Sequence, residues 1–155
     1  MQIVPLLCLA PVLMAVAYFD LKYMRIPNWL VYIALALFVV TVPLIGWEEA
    51  GLRFLAGLLI FAIGVASFAM GWFGGGDVKM LAALVLFVPS PTYYLFAFGF
   101  SAAMLIGVSF VLMLRAAPGS DRIEYKGLQA RGKFPMGISI AGAGLAHPFL
   151  ISAIA

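Results

Sequence analysis

Six carboxylates are spread over the 155 residues, and two of them, Asp20 and Asp77, stand at the borders of long uncharged runs. A charge at the centre of a bilayer costs about 3 kcal/mol on insertion scales and less toward the interface. Two carboxylates at similar depth can meet across a helical bundle. Facing each other they cannot readily both ionise, so they share one proton. The ionised member can take a proton from water while the protonated member donates to a scissile carbonyl. That is the chemistry of aspartyl proteolysis. A plainer account fits the same spacing, with Asp20 as an interfacial charge near Lys22 and Asp77 as the N-cap of a helix behind Gly74, Gly75 and Gly76. Spacing does not choose between the two. If the residues do meet, Asp77 is expected at the positive N-terminal end of its helix and Asp20 at the negative C-terminal end of another. On that premise Asp77 is the initial base and Asp20 the initial acid.

The elements that must position them follow from composition. The chain is 66% hydrophobic and 10% charged, whereas soluble domains are about 25% charged. Lipid is therefore the solvent. Uncharged stretches cover 1–19, 26–47, 54–76, 80–114 and 134–155. Four of them each suit one helix of about 20 residues. The stretch 80–114 is broken by Pro89-Ser90-Pro91, because proline removes a backbone donor and restricts its predecessor. This predicts a short helix near 78–88 and a full one near 92–114. The expectation is an all-α membrane protein, a bundle of six transmembrane helices with a short fourth, forming one domain over 1–155. The first segment lacks a basic leader region and reads as a retained span rather than a signal peptide.

Charge sets the orientation. Lys22 and Arg25, then Lys79, then Arg115, Arg122, Lys126, Arg131 and Lys133 fall on alternate connections, so eight of the nine basic residues share one face. The opposite face has Arg53 beside Glu48 and Glu49, both expected to be solvated. The positive-inside rule puts the basic face in the cytoplasm and both termini on the extracytoplasmic side. Asp20 and Asp77 then lie on the cytoplasmic face. The loop 115–134 is basic, with Asp121 and Glu124 as its acidic residues, and suits anionic lipid.

Other polar residues have ordinary readings. Lys22, Arg25 and Lys79 can tune the dyad or hold substrate carboxylates, but topology and lipid headgroups also account for them. Asn28, behind Pro27, is placed to cap the second helix, and a role at the site in substrate binding or tuning suits it equally. Pro135 and Gly137 can line a site on the last span or simply shape its backbone. His147 is expected to be structural. The repeats Gly57, Gly64, Gly71 and Gly99, Ala103, Gly107 read as helix-packing stripes. Cys8 is the single cysteine, which excludes an internal disulfide and a cysteine-rich zinc site.

The stretches DLKYMRIPNWL (20–30), GGGDVKMLAAL (74–84) and KFPMGISI (133–140) resemble the type IV prepilin peptidases, the GxGD class of membrane aspartyl proteases. The length is most similar to the small Flp/Tad-type form. The resemblance implies Asp20 and Asp77 as the catalytic pair and Gly74 and Gly76 as the fixed glycines of the motif. It implies removal of a leader peptide from membrane-embedded prepilins, typically after a glycine, at the cytoplasmic face of the bacterial inner membrane. No metal or organic cofactor is expected, and no nucleic acid. Larger members add a domain with paired CxxC zinc motifs and methylate the new N-terminus. That domain is missing here, so the resemblance supports neither zinc nor N-methyltransferase activity. Two rival readings are a proton-coupled transporter relaying through the same carboxylates and a pilus-assembly protein that binds prepilin without cutting it. Transporter sites favour the midplane and internal repeats, whereas both aspartates sit at span ends and no repeat is evident.

Overall fold

The computed structural model describes residues 2–116, 125–129 and 134–154, and these are all helix, turn or connection, without strand. The helices are α1 (Val4–Tyr23), α2 (Asn28–Ile45), α3 (Trp47–Ala69), α4 (Gly75–Val85), a 3-10 turn (Ser90–Thr92), α5 (Tyr93–Ala116), a four-residue α6 (Lys126–Gln129) and α7 (Met136–Ile154). Five helices, α1, α2, α3, α5 with its preceding turn, and α7, are long and apolar enough to cross a membrane. The chain is a multi-pass membrane protein.

α4 is the exception that was expected, and its register differs from the expectation. It begins at Gly75 rather than near residue 78, and it has 11 residues. At 1.5 Å per residue that is about 17 Å, short of a hydrocarbon core of about 30 Å. The shortfall is met by enclosure. Residues 82–89 are all buried, and α4 packs against α3, α2 and α7. Tight turns continue past its end, with Phe87 N–H on the Leu84 carbonyl at 2.9 Å and Val88 N–H on Val85 at 3.1 Å. The fourth element is thus an interior helix extended by a buried turn. Non-helical backbone at membrane depth is tolerated where protein surrounds it.

The long helices divide into two kinds. α1, α2 and α7 supply much of the core, including Leu9, Leu13, Leu30, Ala34 and Ile140. α3 and α5 bury few residues and turn broad apolar faces outward, such as Leu55, Leu59 and Ile63 or Leu105 and Ile106. Each of these outer helices is docked through its small-residue stripe. Gly57 faces Leu86 and Ala82 of α4, and Gly64 faces Val78. Gly99 faces Leu150 of α7, and Gly107 faces Ser139. Gly71 does not extend the α3 stripe. It lies beyond the helix end at φ +77 with open space around it, and serves as the turn toward α4.

Polar groups lie inside. Arg53 is fully buried, and Glu49, expected to be solvated, is its partner at 2.8 Å. Arg53 also donates to the Phe87 carbonyl at 3.3 Å and to the Gln2 carbonyl at 3.5 Å and Oε1 at 3.4 Å. Glu49 accepts from the Ser90 N–H at 2.8 Å and hydroxyl at 2.7 Å. The cluster ties the starts of α1 and α3 to the end of α4. His147 is also buried, with Nε2 3.0 Å from the Thr92 hydroxyl and its ring edge-on to Phe96. Both clusters lie away from the aspartates.

Candidate active site

Asp20 sits in the last turn of α1 and is 4% exposed. Its Oδ2 accepts the backbone N–H of Gly137 at 2.6 Å. That donor belongs to the first turn of α7 and so has no partner within its own helix. The seat needs a glycine. A Cβ on Gly137 would stand 2.8 Å from the Asp20 Cβ and 2.9 Å from its Oδ2. After Asp20 the chain turns sharply at Met24, a non-glycine residue in the left-handed region at φ 54, ψ 36, whose N–H bonds the Asp20 carbonyl at 2.8 Å. Such a conformation costs roughly 1–2 kcal/mol. It delivers Ile26 and Pro27 to the start of α2.

Asp77 lies in the first turn of α4, two residues after the helix begins. It is not the N-cap. Gly74 holds that position with extended backbone at φ −75, ψ 143, and Asp77 reaches back over it, so that a Cβ on Gly74 would be 2.5 Å from Asp77 Oδ2. Gly76 faces the other way, onto the 24–27 turn. A Cβ there would be 3.2 Å from both the Ile26 Cβ and its carbonyl oxygen. Gly75 faces Phe68 at 3.4 Å on the same construction. None of the three has positive φ. Their common property is the absence of a side chain, which lets the motif pass close to its neighbours.

The two aspartates line one cleft of about 430 Å³ with Met24, Arg25, Asn28 and the three glycines, and they interact electrostatically. Asp77 Oδ1 is buried without a hydrogen-bond partner among the described residues. Asp77 also borders a smaller apolar pocket of about 110 Å³ against α3, lined in part by Gly64, Ser67 and Met136.

The premise for assigning base and acid from opposite helix ends fails. Asp20 ends α1, but it is also bonded to the N-terminal turn of α7, so both carboxylates face positive helix ends. Asn28 does not cap α2. Pro27 is the N-cap residue, no side-chain cap bond is made, and Asn28 Oδ1 accepts from Lys79 Nζ at 3.2 Å instead. Arg25 and Asn28 line the cleft, whereas Lys22 turns away, donating to the Tyr18 hydroxyl at 2.9 Å with Tyr18 and Tyr23 rings beside it. Gly137 joins the site and Pro135 does not line it. Met24 and Ile26 were not singled out from sequence, because a left-handed methionine leaves no composition signal. The basic loop 115–134 falls largely outside the described residues, including Arg122, Arg131, Lys133, Asp121 and Glu124. Of its residues, Arg115 donates to the Gly127 carbonyl at 2.8 Å.

The sequence model of the type IV leader peptidase family matches residues 7–112. The match takes in both aspartates and the glycine motif, and the chain belongs to this family. No curated protein and no solved structure matches the chain. α7, which supplies the Gly137 donor to Asp20, lies beyond the matched residues.

Proposed function

We propose that this chain is a membrane aspartyl endopeptidase that removes the leader peptide from type IV, Flp/Tad-like prepilins at the cytoplasmic face of the bacterial inner membrane, using Asp20 and Asp77. The observation that carries this reading is the shared cleft, with a buried and a half-buried carboxylate from separate helices and a glycine-walled rim. The face follows from the gathering of basic residues at the end that holds the aspartates.

The dyad holds one proton between its members. Asp77 Oδ1, which has no hydrogen-bond partner among the described residues, takes a proton from a water molecule. The hydroxide so formed adds to the scissile carbonyl carbon, and Asp20 gives its proton to the carbonyl oxygen. Collapse of the tetrahedral intermediate breaks the C–N bond, with the Asp77 proton passing to the leaving amine and one hydroxyl of the intermediate returning its proton to Asp20, so that the dyad again holds one proton. Gly137 keeps Asp20 Oδ2 fixed throughout. Gly74 leaves room for the Asp77 carboxyl, and Gly76 lets the motif pack onto the Ile26 turn, so that the two glycines set where Asp77 meets the cleft. No metal or organic cofactor takes part in this scheme, and membrane lipids are the remaining partners.

Co-expression with a candidate prepilin, scored by the mass of the leader lost, tests the proposal. Asp20→Ala and Asp77→Ala should each abolish cleavage while the protein still inserts. Full processing by either variant overturns the dyad. Ion or solute flux across vesicles without any cleavage would favour the transporter reading.

A further inference from the structure

A second groove opens sideways from the bundle toward lipid. It has a volume of about 320 Å³, and its walls come from α2, α3 and α4. Its extent is the same on each wall, from Asn28 to Leu35, from Phe54 to Phe61 and from Lys79 to Leu86. Seven steps along a helix is two turns, or about 10 Å. The floor includes Ala82 and Ala83, small residues of the kind that let one helix lie close on another in lipid. Asn28 lines both this groove and the catalytic cleft, so the two adjoin at that residue.

Among the described residues one charged side chain lines the groove, Lys79 at its cleft end. Its ammonium donates to Asn28 Oδ1 at 3.2 Å and has two further N–H donors. An entirely apolar occupant would cover this cation without compensating it, which is costly. Charge complementarity therefore calls for an occupant that is apolar over two helical turns and carries a carboxylate at the end nearest the cleft.

We infer that this groove seats the membrane helix of the substrate, with a substrate carboxylate on Lys79 setting how far the chain extends over Asn28 into the cleft. The inference rests on the peptidase reading above and adds where the substrate docks and what fixes its register. Lys79 is a binding residue in this scheme and takes no part in the proton transfers.

Photo-crosslinking in membranes tests it. A photoreactive amino acid is placed at Leu35 or Leu58 in the groove, or at Leu105 on the outward face of α5, in the full chain carrying Asp77→Asn. The probe is a prepilin co-expressed in the same membranes, with the unsubstituted chain as a parallel cleavage control. Adducts to prepilin from Leu35 and Leu58, and none from Leu105, are expected. Groove adducts confined to phospholipid, or equal prepilin adducts from Leu105, overturn the inference. Cleavage by the unsubstituted chain together with silent groove positions removes the groove and leaves the peptidase reading standing. Absence of cleavage removes both. In kinetics, Lys79→Met should raise KM about tenfold with kcat unchanged. Changing the substrate carboxylate to its amide should then add no further loss. Independent, additive losses would show that the two groups do not meet.

Discussion

At the end of the bundle away from the cleft, the Arg53 guanidinium meets Glu49, the Phe87 carbonyl and Gln2, and Glu49 takes both donors of Ser90. At the other end, Asp20 has one bond from Gly137, and Asp77 keeps a buried oxygen without a partner. Both clusters put charged side chains into an apolar bundle, where each unsatisfied group is expensive. The first is closed, with opposite charges neutralised and hydrogen bonds shared among three segments. The second joins like charges and leaves a buried acceptor unsatisfied beside a cleft. A closed cluster spends its polarity on fixing helices. An open one holds reactive groups at a cost in stability, which is the usual trade at a site built for chemistry.

The contrast can be broken most sharply at Asp77. Asp77→Asn should lower cleavage on the order of 10⁴-fold, the scale of losing an acid–base group, while the unfolding midpoint in detergent stays level or rises. A lowered midpoint would place Asp77 among the fixing residues instead. Arg53→Met should behave in the opposite way. It removes the cation from Glu49, which keeps its Ser90 bonds, leaves the Phe87 carbonyl unpaired, and should cost about 3 kcal/mol of stability, with part regained when Glu49→Gln is added. A thermally indifferent Arg53→Met would remove the argument for a closed cluster. Gly137→Ala tests the boundary between the two kinds, because its new methyl meets the Asp20 carboxyl directly. A cost of about 1–3 kcal/mol is expected for the overpacking, together with lost cleavage. Normal cleavage by this variant would show that the Asp20 seat does not matter. The mildest change is Gly76→Ala, where the neighbouring Ile26 must give by only a few tenths of an ångström. Cleavage should fall about tenfold or less, and a loss as large as that of Asp77→Asn would mean that the glycine does more than make room.

The parts of this arrangement that were legible in the sequence are those with local signals. Charges bracketing apolar runs located the long helices, and Pro89 and Pro91 announced that the fourth would be short. Asp20 and Asp77 stood out because each interrupts the border of an apolar segment. What could not be read depends on distant neighbours. The Gly137 donor is 117 positions from Asp20, and nothing near either residue announces the bond. Asn28 looked like a helix cap from its position, but its partner Lys79 is 51 positions away. Glu49 was misjudged for the opposite reason. Beside Glu48 in a connection it looks solvated, yet one turn of α3 aims it at Arg53 and inward. The opposing helix ends that were to separate base from acid also failed on a tertiary contact, since α7 brings Asp20 a second helix terminus.

The enclosure of α4 bears on how the protein comes to exist. Eleven residues are too few to partition into a bilayer by themselves, and the carbonyl of Phe87 beyond the helix end is met by a side chain from α3. α4 is therefore held in place by its neighbours, including α7, which is made after it and also secures Asp20. A nascent chain holds both aspartates well before α7 brings Asp20 its Gly137 donor. On the proposed peptidase reading, proteolytic competence should arrive only once α7 has docked.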